Sequence, residues 1–106
     1  MSLTLLALAG CAPHHDRAAV KALIASQCGG CHVVPGVKRA VGRVGPRLTD
    51  IAHQQLIAGR LPNSRANLAL WITHAQEIDP GGAMPAIPLS AGQAAAVADY
   101  LLHPDH

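Results

Sequence analysis

The chain has 106 residues, of which 50% are hydrophobic, and a formal net charge of +2 at pH 7. Its length predicts one domain with a modest core. The small net charge, and the lack of a basic run interleaved with aromatic residues, argue against nucleic-acid binding. The chain has no Phe, one Trp (Trp71) and one Tyr (Tyr100), although aromatic side chains normally bury the largest areas. We therefore expect a bulky apolar cofactor to complete the core.

The first eleven residues, MSLTLLALAGC, are apolar but fall short of the roughly 20 residues that a membrane-spanning helix needs. Residues 8–11, LAGC, resemble a lipobox, in which a lipid is attached to the cysteine and the chain is cleaved before it. We expect residues 1–10 to be a truncated lipoprotein signal peptide, Cys11 to be the lipid attachment site and residues 11–16 to be a linker. A signal peptide normally begins with positive charge, and none precedes Arg17. The alternative is a frayed N-terminus with an unmodified thiol.

Helical patterns dominate the rest of the chain, and no stretch alternates long enough to predict a strand, so the predicted class is all-α. The predicted helices span about residues 16–27, 64–78 and 90–103. Asp16, Ser64 and Ser90 are suitable N-caps. Ser90 is followed three places later by Gln93, which matches a capping box, and Pro104 ends the third helix.

The segment between the first two helices, residues 33–60, is rich in Gly, Pro and Arg. We expect a short helical piece at about residues 48–57. An irregular loop of this length is uncommon in a compact domain unless it has a function. Wrapping a cofactor would be such a function.

The pentapeptide CGGCH at residues 28–32 is the C-x-x-C-H pattern of covalent c-type haem attachment. Two thiols about one helical turn apart can reach the two vinyl groups on one side of a porphyrin, and the adjacent imidazole then lies under the iron. We therefore predict that Cys28 and Cys31 hold one covalent haem c and that His32 is an axial ligand of its iron.

Other interpretations of the two cysteines remain open. A zinc site needs four ligands, usually from two separated pairs, and Cys11 is too isolated to complete one. A thioredoxin-like pair belongs in a βαβ pattern, which the sequence does not predict. A structural disulfide is a third alternative in an exported protein.

Met84 is the candidate for the second axial position. The chain has two methionines, and this one lies in a loop between Gly82 and Pro85, where generic filling of a core gap is the alternative role. His53 and His74 are competing candidates. If protein side chains fill both axial positions, the iron exchanges electrons but binds no substrate. The pattern then predicts an electron carrier and no enzyme.

Taken together, these features resemble a class I c-type cytochrome over residues 17–103, with residues 104–106 as a tail. The shared features are the CxxCH after an N-terminal helix, GPRL at 45–48, a methionine in a Pro-rich loop and YLL at 100–102. More narrowly, GRLPNSRANLALWI at 59–72 and GGAMPAIPLS at 81–90 are similar to the cytochrome c domain fused to subunit II of some haem-copper oxidases.

The resemblance implies a cytochrome c fold, with three main helices and a short one wrapped around the haem. It implies that the Pro46 carbonyl accepts a hydrogen bond from the His32 ring. Trp71 would pack on the haem and donate to a propionate. Relatives often have an arginine for the propionate contact where this chain has His53 or Gln54. We expect Arg47 to substitute for it, with Arg43 and Arg60 as alternatives.

The function implied by the resemblance is one-electron transfer by a monomeric, extracytoplasmic (periplasmic) monohaem cytochrome, between membrane-bound or soluble redox proteins of a respiratory chain.

All eight Lys and Arg lie at or before Arg65, with two acids among them (net +6), whereas the remainder has net −4. This asymmetry can orient a partner, although chance scatter of surface charge is the alternative. We expect a basic cluster to dock an acidic partner; its members are Lys38, Arg39, Arg43 and Arg47. The functional alternatives are a haem enzyme or sensor (peroxidase-like or gas-binding) with a displaceable Met84, and a fixed haem subunit of a larger respiratory complex.

Overall fold

The computed structural model describes residues 16–104. The expected signal peptide, the Cys11 lipid site, most of the linker and residues 105–106 lie outside this range. Within it, the elements in chain order are α1 (Arg17–Gln27), a 3₁₀ helix (Leu48–His53), β1 (Leu56–Ile57), β2 (Leu61–Pro62), α2 (Arg65–Ile78) and α3 (Ala91–Leu102). The predicted arrangement of three main helices and a short one is therefore confirmed.

Each main helix begins at the N-cap that the sequence predicts. Asp16 and Ser64 each accept a hydrogen bond from the backbone N–H three residues later. Ser90 and Gln93 form the full capping box, because each side chain accepts from the other residue's backbone N–H. Such caps satisfy N–H groups that have no partner inside the helix, and each typically contributes about 1 kcal/mol.

The expectation of no strands was wrong for one short hairpin. Leu56 pairs with Pro62 and Ile57 with Leu61 in an antiparallel register. The connecting turn has positive φ angles at Ala58 (52°) and Gly59 (69°). A ladder of two residues on each side is too short to show the period-two alternation by which strands are recognised in sequence. The predicted helical piece accordingly ends at His53, before the hairpin begins.

The core lies where α3 packs against both α1 and α2. Its largest fully buried side chains are Ile24, Ile57 and Val97. Tyr100 of α3 is buried, and its hydroxyl donates to the Pro35 carbonyl at 2.6 Å, which attaches the loop after the CxxCH to the helices. Among the helices of residues 16–104, none is long and apolar enough to cross a bilayer.

Candidate haem site

The CxxCH pentapeptide extends the end of α1 by a further turn. Cys28 N–H donates to the Ile24 carbonyl at 2.8 Å, and the N–H groups of Cys31 and His32 donate to the Cys28 carbonyl at 3.1 and 3.0 Å. The backbone that presents both thiols and the imidazole is therefore continuous with a capped helix. Cys28 is buried in the hydrophobic core, whereas Cys31 is exposed.

A second segment, residues 42–48, is hydrogen-bonded to the pentapeptide region. Gly42 N–H donates to the Gly29 carbonyl at 3.0 Å, and Gly45 N–H donates to the Cys31 carbonyl at 2.7 Å. Further along, Leu48 N–H donates to the Val33 carbonyl at 2.9 Å. These bonds hold the loop against residues 29–33 and bring Pro46 next to His32.

The His32 ring is buried, and its Nδ1 lies 2.7 Å from the Pro46 carbonyl oxygen. A carbonyl can only accept, so Nδ1 has the proton and donates it. The other ring nitrogen, Nε2, has no hydrogen-bond partner within residues 16–104. A buried imidazole with a fixed tautomer and an unshared Nε2 is the arrangement that a metal ligand requires.

The two cysteines of residues 28–32 are both unpaired thiols, which gives no support to the disulfide alternative. Burial, and to a smaller extent the neighbouring Cys31, raises the pKa of the Cys28 thiol to about 11. The thiolate of Cys28, which zinc binding and redox exchange both use, is therefore harder to form than that of an ordinary cysteine. Within the described part of the chain, no group of three or more His, Cys, Asp or Glu side chains could hold a metal ion. The zinc alternative thus has no ligand set here.

Met84 is partly buried and packs against the hydrophobic cluster that contains Cys28. Its loop is attached to α2, because Ile87 N–H donates to the Ile72 carbonyl at 2.9 Å. The competing candidates His53 and His74 are both exposed. Of the three candidates for the second axial position, Met84 is thus the one placed against the same core as the pentapeptide.

Trp71 is partly buried against the same cluster, and its indole N–H has no acceptor within residues 16–104. It is therefore free to donate to a propionate. Arg47 is exposed beside Pro46 and has no acidic partner in the described range. Arg60, one of its proposed alternatives, is instead paired with Asp79 at 2.9 Å. Arg47 and Arg43 consequently remain as the propionate candidates from the sequence.

The residues present fit a covalently bound haem: two reduced thiols on one turn, a buried imidazole with an unshared Nε2, a thioether against the same core and an unpaired indole donor. Sequence reasoning missed two residues of this site. Gly45 contacts the His32 ring, and the Gly-Pro pair was the signal that could have revealed it. Gln76 donates to the methionine loop, but nothing in the sequence indicates where this surface amide points.

The fold and the site together define a class, an all-α domain organised around a covalent haem-attachment turn. The family model "Cytochrome c" matches residues 18–104, so the chain belongs to the cytochrome c family. Members of that family are generally haem electron carriers, and membership implies covalently bound haem c. The resemblance to a class I c-type cytochrome is thus confirmed at the level of the family, while the narrower likeness to oxidase subunit II stays a prediction.

Among solved structures, the chain is similar to the c-type cytochrome SorU from Sinorhizobium meliloti. The two share 25% sequence identity and superpose with a TM-score of 0.50, covering 78% of this chain and 87% of that one. No curated protein sequence matches this chain. The structural similarity agrees with the cytochrome c fold that the sequence predicts.

Proposed function

We propose that this protein is a monohaem electron carrier in which Cys28 and Cys31 hold the haem and His32 and Met84 are the axial ligands. The proposal rests above all on the hydrogen bond from His32 Nδ1 to the Pro46 carbonyl, which leaves Nε2 available as a ligand. When bound, the haem supplies a one-electron iron couple whose potential is tuned by the axial ligands.

The protein's own residues then determine how the iron is used. Pro46 fixes the tautomer and orientation of His32. Met84 would be the second protein ligand of the iron, and a thioether ligand would favour the ferrous state relative to a second histidine. Trp71 and Arg47 are the proposed donors to the propionates. With both axial positions filled by side chains, we expect no substrate to reach the iron.

The basic cluster is our proposed docking surface for an acidic redox partner. The hydrogen bonds of residues 42–48 hold this loop against the pentapeptide, and the cluster has no acidic partner within the described range. Val41 and Val44, in the same loop, are 67% and 76% exposed. Exposed apolar side chains next to uncompensated positive charge suit a partner with an apolar centre and an acidic rim.

We further propose that the domain works outside the cytoplasm as a monomer that exchanges electrons with respiratory proteins. Family membership supports this compartment, because c-type cytochromes are typically extracytoplasmic. The lipid on Cys11 is a separate proposal. Mass spectrometry of the mature N-terminus tests it, since an unmodified thiol at that position would contradict lipid attachment.

The axial ligands are tested by absorption spectra of the haem-loaded protein. We expect the weak long-wavelength band of a methionine sulfur on ferric iron, and no carbon monoxide binding by the reduced form. Met84→Ala should remove the band and allow carbon monoxide to bind. His53→Ala and His74→Ala are the matched controls and should leave both properties unchanged. A wild-type protein without the band that binds carbon monoxide readily would overturn the closed-site proposal and favour a gas-binding or peroxidase-like protein.

The docking surface is tested in stopped-flow experiments with a small anionic redox reagent, whose charge is opposite to that of the basic cluster. We expect electron exchange with anionic hexacyanoferrate to slow as salt rises, because salt screens the basic cluster. Arg39→Glu should lower the rate and flatten its salt dependence. Arg65→Glu makes the same kind of charge change outside the cluster and should have a smaller effect. Equal effects of the two variants would reject a localised docking surface.

A further inference from the structure

The side chain of Gln76 is hydrogen-bonded to the loop that contains Met84. Its Nε2 donates to the Gly82 carbonyl at 2.7 Å and to the Met84 carbonyl at 2.6 Å. A primary amide has two N–H groups, so both are used. Gln76 lies in the last turn of α2, and one side chain thus joins this helix to two points of the loop.

The loop has little else to hold it near Met84. Gly82 N–H donates to the Asp79 carbonyl at 3.0 Å at the start of the loop, and Ile87 N–H donates to the Ile72 carbonyl at 2.9 Å at its end. Between these positions, in residues 83–86, the bond from Gln76 to the Met84 carbonyl is the single hydrogen bond formed within the described chain. The backbone of Met84 is therefore held in place by Gln76.

We infer that Gln76 is a positioning residue for the sixth iron ligand, which it acts on through the backbone of Met84. The inference rests on the proposed function, in which the Met84 sulfur is that ligand. A thioether is a weak, uncharged ligand on a flexible side chain, so its occupancy of the iron depends on how firmly its backbone is held. Gln76 supplies this restraint from a helix that the core already fixes.

The test replaces Gln76 in the haem-loaded protein. Gln76→Ala removes both hydrogen bonds at an exposed helical position, where alanine is a good helix former, so we expect the fold to be retained. The loss of two hydrogen bonds should weaken methionine ligation by about tenfold or more. We expect carbon monoxide to bind the reduced variant at least that much faster, and the long-wavelength band to disappear on heating well before helicity is lost.

Gln76→Glu separates positioning from simple truncation. A carboxylate has nearly the same shape, but when ionised it only accepts hydrogen bonds and would face two carbonyl oxygens. We therefore expect faster carbon monoxide binding than in Gln76→Ala. Glu77→Ala is the control, because Glu77 is the neighbouring exposed residue of α2 and has no partner in the described range. It should behave like the wild type.

The outcomes distinguish this inference from the proposed function. If the wild type shows the methionine band, Met84→Ala loses it, and both Gln76 variants match Glu77→Ala, then methionine ligation stands and the positioning role is wrong. If the wild type lacks the band and Met84→Ala changes nothing, the proposed ligation itself fails. Weakened ligation in both Gln76 variants with unchanged helicity would establish the positioning role.

Discussion

Gly45 lies directly against the imidazole ring of His32. A Cβ atom placed on Gly45 would lie 2.3 Å from His32 Cε1 and 2.6 Å from Nδ1, well inside normal contact distance. The same ring donates to the carbonyl of the next residue, Pro46. The Gly-Pro pair thus determines both the position and the tautomer of the proposed proximal ligand.

The first prediction concerns Gly45→Ala. The added methyl group must displace the His32 ring or the loop, so we expect a loss of about 1–3 kcal/mol in the free energy of unfolding. We also expect a change in the spectrum of the haem iron, because the ligand moves. Denaturant unfolding and absorption spectra measure these effects. For the free energy of unfolding, Gly30→Ala is the control, since a Cβ there meets no protein atom within 4 Å; equal losses from the two changes would refute the contact argument.

The second prediction concerns pH and the haem-free chain. Burial and Cys31 raise the pKa of Cys28 from 9.0 to about 11 in the folded state. The folded chain therefore holds this proton more tightly than the unfolded chain. The resulting stability is fully present below about pH 9 and is lost as the pH rises towards 11. By linkage, the loss amounts to roughly 2–3 kcal/mol.

Urea unfolding of the haem-free chain between pH 7 and 11 measures this loss, with Cys28→Ala as the comparison. The free energy of unfolding of the variant should decline less steeply with pH, because its other groups still titrate but the Cys28 thiol is absent. Parallel declines in the two chains would show that the Cys28 thiol does not contribute. The haem-loaded protein should also lack this component, since a thioether has no proton to lose.

The third prediction concerns Tyr100 and Gly36. Tyr100→Phe removes the hydrogen bond to the Pro35 carbonyl and should cost about 1–2 kcal/mol. Gly36→Ala should also be destabilising, because residue 36 has a φ of +76° and its Cβ would lie 2.5 Å from the Tyr100 hydroxyl. In the double variant the hydroxyl is gone, so we expect a smaller loss than the sum of the two. Strict additivity in a double-mutant cycle would contradict a contact between the two residues.

The fourth prediction is that the ion pair between Arg60 and Asp79 contributes little to the free energy of unfolding. Arg60 and Asp79 form an ion pair at 2.9 Å, but their side chains are 53% and 33% exposed. Water and salt screen such a pair, so Arg60→Gln should cost less than about 1 kcal/mol. The cost should shrink further in 1 M salt. A larger, salt-independent loss would mean that Arg60 stabilises the hairpin by a contact other than this charge pair.

Local patterns explain why much of the fold could be predicted. Capping by Asp16, Ser64 and Ser90 depends on atoms within three residues, so the helix starts follow directly from the order of amino acids. The hairpin of β1 and β2 was missed because its register depends on a turn with positive φ angles and on pairing of only two residues on each side.

The candidate site likewise combines residues that local sequence patterns indicate with contacts that arise from folding. The CGGCH pentapeptide, its histidine and a methionine with few competitors could be picked out as candidates without a structure, because spacing along one helical turn and the rarity of a residue type are properties of the chain alone. The contacts of Gly45 with the His32 ring, of Gln76 with the Met84 carbonyl and of Arg60 with Asp79 became visible in the folded chain alone. These contacts join residues 8 to 19 positions apart in different elements. Their geometry follows from how the helices and loops pack, and no local pattern encodes it.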